Sequence, residues 1–93
     1  MSILSETDIK NQLTALQGWE YSDGKIMKTY SFSNYMNSIA FINRLAEKAE
    51  EYNHHPDMIV EWCKITVSFT SHDNGGVTDS CIKMSVETDR IYK

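Results

Sequence analysis

The sequence predicts an α+β domain in which helices cover one face of an antiparallel sheet, in the order α-β-β-α-β-β-α. Three stretches carry this prediction. From Glu61 to Ser71 the residues alternate strictly: Cys63, Ile65, Val67 and Phe69 fall on one face, and Trp62, Lys64, Thr66, Ser68 and Thr70 on the other. That is the period of a half-buried strand. Tyr35, Ile39, Ile42, Ala46 and Ala49 recur instead at three- and four-residue spacing, which makes one stripe of a helix. Between Trp19 and Phe32, the pair Asp23-Gly24 separates two short runs, the signal of a hairpin.

The first helix has a clear start. Ser5 is placed to cap it, and Asp8 lies three residues on, the spacing of a capping box. Leu4 and Ile9 hold the two positions of a hydrophobic staple; Ile9, Leu13 and Leu16 continue as an apolar stripe, and Gly18 ends it. A strand Trp19-Glu20-Tyr21 leads into the turn Ser22-Asp23-Gly24. The return strand runs from about Lys25 to Phe32, with Ile26, Tyr30 and Phe32 facing the core and Lys28, of the same parity, assigned to an edge. Ser33 is read as the cap of the second helix, which stops at Asn53 and Pro56. Met58-Ile59-Val60 is short for a strand and is read as a neighbour of the long one. Asp73-Asn74-Gly75-Gly76 is a tight turn, and Thr78 caps a last helix with Ile82 and Met84 turned to the core.

Ninety-three residues hold one domain, residues 1–93. At 41% hydrophobic and 24% charged, the composition is that of a globular chain, neither disordered nor membranous. Nine Lys and Arg against 13 Asp and Glu leave a net charge of −4. Phosphate binding needs a basic face, so this balance argues against nucleic acid as a direct partner. A chain of this size buries only roughly 60% of its unfolded surface, which favours an oligomer. Cys63 and Cys81 are too few for a disulfide scaffold and form no CxxC pair. The start, Met1 to Glu6, lacks the charged and apolar segments of a signal peptide, and no apolar run is long enough to cross a bilayer. These features predict a cytoplasmic protein with reduced thiols.

The candidate chemistry gathers at three histidines. His54 and His55 are adjacent and precede Pro56, which biases His55 toward extended backbone and stops the helix. His72 follows His55 by 17 residues, at the far end of the long strand. Pairing of the segment after Pro56 with that strand brings His72 back beside the other two. Loop histidines are commonly just solvated side chains. A metal site is disfavoured, because helical zinc sites use histidines four apart and neither cysteine has ligand spacing to these. Acid–base catalysis is the sharper reading, since imidazole, with a reference pKa of ~6.5, exchanges protons near neutrality. Trp19 and Tyr21 read as structural aromatics, the acidic run Glu47 to Glu51 as a solvated helix face, and Gly75-Gly76 as a turn without the Lys-Ser/Thr ending of a phosphate loop.

The segment Glu50-Glu51-Tyr52-Asn53-His54-His55-Pro56-Asp57 resembles the signature of the pterin-4a-carbinolamine dehydratases. The likeness continues through Ser71-His72-Asp73-Asn74-Gly75-Gly76-Val77-Thr78 and, in the front half, through Gly18-Trp19-Glu20, Tyr30-Ser31-Phe32 and Ala40 to Ala46. The resemblance implies a four-stranded antiparallel sheet with three helices packed on one face, in agreement with the element order, and a homodimer or homotetramer. It implies dehydration of a 4a-hydroxytetrahydropterin to the quinonoid dihydropterin, which recycles the tetrahydropterin cofactor of aromatic amino acid hydroxylases. It implies no metal and no organic cofactor, because the ring's own electrons expel the 4a-hydroxyl once that group is protonated and N5 gives up its proton. Position by position, His54, His55 and His72 match the family's active-site histidines; of these we read His55 and His72 as the proton-transfer groups and His54 as ligand or second acid, with acid and base left open between them. Glu50 matches an acidic residue that orients or charge-stabilises a histidine, and Pro56 matches the rigid proline of the motif.

One position departs from the family pattern. The last helix there begins Leu-Thr-x-x-Asp; here it reads Val77-Thr78-Asp79-Ser80-Cys81, so Cys81 occupies the aspartate position at the substrate site. Loss of that capping partner is expected to cost roughly 0.5–2 kcal/mol. Asp79 does not replace it, being rotated by about 200° on the helix, although it still suits the helix N-terminus. Relatives of this family also serve as coactivators, so the competing reading is a non-catalytic oligomeric scaffold that binds a protein partner. Between the two lies a pterin-binding module without turnover.

Overall fold

The computed structural model describes residues 3–92. Its elements are α1 (Glu6–Leu13), β1 (Glu20–Ser22), β2 (Lys25–Ser31), α2 (Tyr35–Tyr52), β3 (Asp57–Glu61), β4 (Lys64–Phe69) and α3 (Asp79–Tyr92). The order matches the one read from the sequence. The four strands form one sheet in the order β1-β2-β4-β3, antiparallel throughout.

Register places the core-facing side chains in rows. Tyr30 lies opposite Ile65, Lys28 opposite Val67 and Ile26 opposite Phe69, while Met58 pairs with Val67; Val60, opposite Ile65 on the edge strand, is left exposed. Against this face pack Ile9 of α1, Phe41 and Leu45 of α2, and Cys81 and Met84 of α3, all essentially inaccessible. Each large side chain buried this way contributes about 1.5–3 kcal/mol. The opposite face is polar along its middle, where Thr29 and Thr66 share a hydroxyl–hydroxyl bond of 2.9 Å.

Several local boundaries differ from the sequence reading, each for a physical reason. The alternation from Glu61 to Ser71 is not one strand. Glu61 ends β3 and pairs with Lys64 at the start of β4, so Trp62 and Cys63 are the two residues of a hairpin turn. A two-residue turn preserves the period of two, and neither Trp nor Cys is a usual turn residue. Cys63 adopts a left-handed φ of 58° there and does not head the core-facing row. On α2 the buried stripe is Ser38, Phe41, Leu45 and Ala49, while Tyr35 and Ala46 are exposed and Ile39 and Ile42 half-buried. The helix carries apolar residues on more than one side, and the face with Phe41 and Leu45 meets the sheet. Its cap is Asn34, whose Oδ1 accepts from the Asn37 N–H at 2.8 Å, rather than Ser33.

At the front, Ser5 does cap α1, its Oγ accepting from the Asp8 N–H at 3.1 Å. The helix closes at Leu13 rather than running to Gly18. Gly18 follows in the left-handed region at φ 90°, where a Cβ would stand 2.9 Å from Lys28 Cε. Lys28 is not at an edge: β2 is an interior strand, and the ammonium turns back to Gln17 O and to Asp89 of α3, 2.9 Å from each. Asp89 also accepts from Tyr30 Oη at 2.5 Å and from Trp19 Nε1 at 3.3 Å. Burial first, and then Asp89, push the Tyr30 phenol far above its ordinary range, so it remains a donor. On α3, Ile82 is half-buried, and Cys81, Met84, Ser85 and Thr88 form the buried stripe.

Candidate active site

Two chain reversals assemble the site. At the end of α2, Asn53 takes the left-handed conformation, φ 50° and ψ 45°, and its N–H returns to the carbonyls of Ala49 and Glu50. His54 N–H also donates to Ala49 O at 3.0 Å. Capping this helix end turns the chain sharply, so His54 and His55 sit on the short link before Pro56 and β3. The second reversal follows β4. Ser71 and Gly76 pair through Ser71 N–H to Gly76 O, 2.8 Å, closing a loop that carries His72. Because β3 pairs with β4, with Asp57 opposite Ser68, that loop lies beside the α2 exit.

His54, His55 and His72 therefore line one open cleft of about 340 Å³, together with Thr70, Ser71 and Ser80. That size is within the range of small-molecule sites. Glu50, Pro56 and Cys81 are not on its wall. Glu50 meets His55 from the side, half-buried Pro56 stiffens the entry to β3, and Cys81 lies fully buried behind His54.

Each imidazole has a different neighbour. His54 is half-buried, its ring stacked on Phe69 with centroids 5.9 Å apart and planes at 15°. Its Nε2 is 3.3 Å from Cys81 Sγ. Burial, and then the charges of His55 and His72, hold its pKa below the ordinary histidine value. His55 is exposed and places Nε2 2.5 Å from Glu50 Oε2. A carboxylate accepts, so Nε2 carries the proton in that pair and a neutral His55 presents a lone pair at Nδ1. His72 is also exposed and stands 3.9 Å from Asp57 Oδ2, an ionic contact too long for a hydrogen bond.

Four contributors are not singled out by the sequence pattern: Phe69, Asp57, Ser71 and Thr78. Phe69 belongs to the core by its strand parity, and it is also the platform under His54. Asp57 and the hydroxyls of Ser71 and Thr78 sit inside the segments that carry the resemblance, and that was the only signal for them. Among the described residues, no group of three or more His, Cys, Asp or Glu side chains is placed to hold a metal ion, and no helix is long and apolar enough to cross a membrane.

With this geometry in view, likeness to known proteins becomes decisive. The family model described as pterin 4 alpha carbinolamine dehydratase matches residues 2–91. The chain belongs to this family. A relative in Thermosynechococcus vestitus, provisionally named a pterin-4-alpha-carbinolamine dehydratase, is 42% identical over 82 residues, covering 88% of this chain and 86% of the relative. A relative with the same provisional name in Aquifex aeolicus is 38% identical over 90 residues, covering 97% and 91%. A crystal structure described as a transcriptional coactivator/pterin dehydratase from Brucella melitensis superposes with a TM-score of 0.94 at 28% identity, over 99% of this chain and 100% of that one. A pterin dehydratase-like protein described as a RuBisCO assembly factor in the alpha-carboxysome shares the fold alone, at a TM-score of 0.67 and 16% identity, over 80% of this chain and 86% of that one. The pterin dehydratase family thus provides the frame for the three-histidine cleft.

Proposed function

We propose that this chain catalyses the dehydration of a 4a-hydroxytetrahydropterin to the quinonoid dihydropterin, and that His54, His55 and His72 surround the reacting ring. The observation that carries the proposal is the convergence of three imidazoles on one cleft in a chain of the pterin dehydratase family. The reaction needs two proton movements. The 4a-hydroxyl gains a proton and leaves as water, and N5 loses one as the ring electrons expel it. No oxidant or reductant enters. His55 and His72 are exposed and free to exchange protons with solvent between turnovers, so they are the proton-transfer pair, and His54 is the ligand. Glu50 orients His55 through the Nε2 contact.

The product returns to the tetrahydropterin pool after reduction elsewhere, in keeping with a cytoplasmic enzyme, and the small surface that one such chain buries by itself favours a homodimer or homotetramer. A second reading, a scaffold for a protein partner, draws on the exposed Ile59, Val60 and Trp62 at the β3–β4 hairpin and on the description of the Brucella melitensis structure as a coactivator. Rapid mixing of a freshly generated 4a-hydroxytetrahydropterin with the chain, following quinonoid formation against the spontaneous rate, tests the enzyme. Acceleration in proportion to protein concentration supports it. A rate equal to the spontaneous one leaves the scaffold.

A further inference from the structure

Behind the wall of the cleft lies a buried polar cradle that the reaction as described above does not use. Cys81 Sγ is fully inaccessible and has three polar neighbours: His54 Nε2 at 3.3 Å, Ser71 Oγ at 3.6 Å and Thr78 Oγ1 at 3.8 Å. The two hydroxyls are bonded to each other at 2.6 Å. The thiol is one donor and a weak acceptor, and an unprotonated imidazole nitrogen is the strongest acceptor within its reach. The shortest of its three contacts is the one to that nitrogen. The reverse arrangement, with Nε2–H donating to sulfur, would spend the ring's N–H on a weak acceptor and leave the thiol proton to the longer hydroxyl contacts.

Resting on the dehydratase reading, we propose that Cys81 is a positioning residue: its thiol donates to His54 Nε2 and fixes that ring as the Nδ1–H tautomer. Phe69 holds the plane of the ring by stacking, and Cys81 holds its rotation and proton. Cys81 is the third residue of α3, so His54 Nε2 faces the positive end of that helix, which opposes a charged imidazolium. Burial and the neighbouring His55 and His72 act in the same direction.

The consequence is a division of labour. A neutral His54 with its proton on Nδ1 offers a fixed N–H donor and no free lone pair. It therefore binds an acceptor atom of the pterin and is not the base that receives the N5 proton. That base is His55 or His72.

The test reads the tautomer directly in the free protein, by long-range proton–nitrogen correlation spectra of chain labelled with ¹⁵N-histidine. At a pH where His54 is neutral, the wild type should show Nδ1 protonated and Nε2 bare. Cys81→Ser keeps a donor and should preserve this. Cys81→Asp presents an acceptor and should move the proton to Nε2. Cys81→Ala removes the partner and should leave a mixture. Should Cys81→Ala not fold, the serine and aspartate variants still decide the question. A wild-type His54 protonated at Nε2, or the same tautomer in Cys81→Asp as in the wild type, overturns the proposal. Turnover gives the second reading: Cys81→Ala should lower kcat/KM by about 10-fold, the weight of a partner that orients a working imidazole, and Cys81→Ser should restore most of it. Equal losses in the two variants also overturn the proposal. The spectra need no substrate, so a chain that holds the Nδ1–H tautomer but does not accelerate dehydration retires the proposed function and leaves this inference standing.

Discussion

Helix α3 carries two polar clusters, and they are built on opposite plans. Near its start, Cys81 backs onto His54, and the cleft beyond holds two more histidines whose ionic partners are exposed or distant. Near its end, Asp89 collects Tyr30, Lys28 and Trp19 in one converging set of donors. At Asp89 the donors come from the β2 strand and the segment just before β1, so the cluster clamps helix to sheet. At the histidines, side chains keep unspent hydrogen-bonding capacity and face open space. The difference teaches how to tell structural polarity from chemical polarity. A cluster whose partners satisfy one another stabilises the fold, whereas one whose groups remain half-satisfied on a cleft is available to a ligand.

The largest expected effect separates the two clusters by activity. His55→Ala or His72→Ala should reduce the rate of carbinolamine dehydration by ~10²–10⁴-fold, the weight of a positioned acid or base. Both side chains are exposed, so urea denaturation midpoints should hardly move. Wild-type rates in both variants would remove these histidines from the chemistry and the enzyme reading with them.

The converse experiment targets the clamp. Asp89→Ala strands Tyr30 Oη and Trp19 Nε1 and should lower unfolding free energy by about 1.5–3 kcal/mol, the range for hydrogen bonds to a charged group. Turnover per folded molecule should be unchanged, because Asp89 is at the other end of α3 from Cys81. A variant that unfolds like the wild type, or that loses kcat while remaining folded, would break the distinction between the clusters.

The two regions also differ in how far the sequence exposes them. The Ser5 cap, the stop at Asn53, the Asp23-Gly24 hairpin and the alternation of Ile65, Val67 and Phe69 are local patterns, and each is found where the sequence places it. The histidines were legible for the same reason, since their motif is local and Pro56 marks it. The Asp89 cluster was not, because Trp19 and Asp89 are 70 residues apart and nothing in either neighbourhood announces the contact. The turn at Trp62-Cys63 hid behind an unbroken period of two. The face of α2 was ambiguous because Ile39 and Ile42 compete with Phe41 and Leu45, and only packing against the sheet decides between them.

The smallest expected effect is a pair of opposite pH slopes. His54 has a lowered pKa in the folded chain, because burial and the charges of His55 and His72 oppose its protonation. The unfolded chain therefore binds more protons just below about pH 6.5, and His54 makes stability fall as the pH drops through that window to its folded value. Tyr30 works at the other limit. Burial and Asp89 raise its pKa, so the unfolded chain releases a proton first, and stability falls as the pH rises above about 10. His54 is only half-buried, which keeps its slope shallow. Urea midpoints measured across both windows should show the acid-side slope flatten in His54→Gln and the alkaline-side slope flatten in Tyr30→Phe, with neither variant affecting the other limb. If His54→Gln retains the full wild-type acid slope, the cleft does not hold His54 against protonation, and the contrast between a saturated clamp and an unsaturated site loses its electrostatic support.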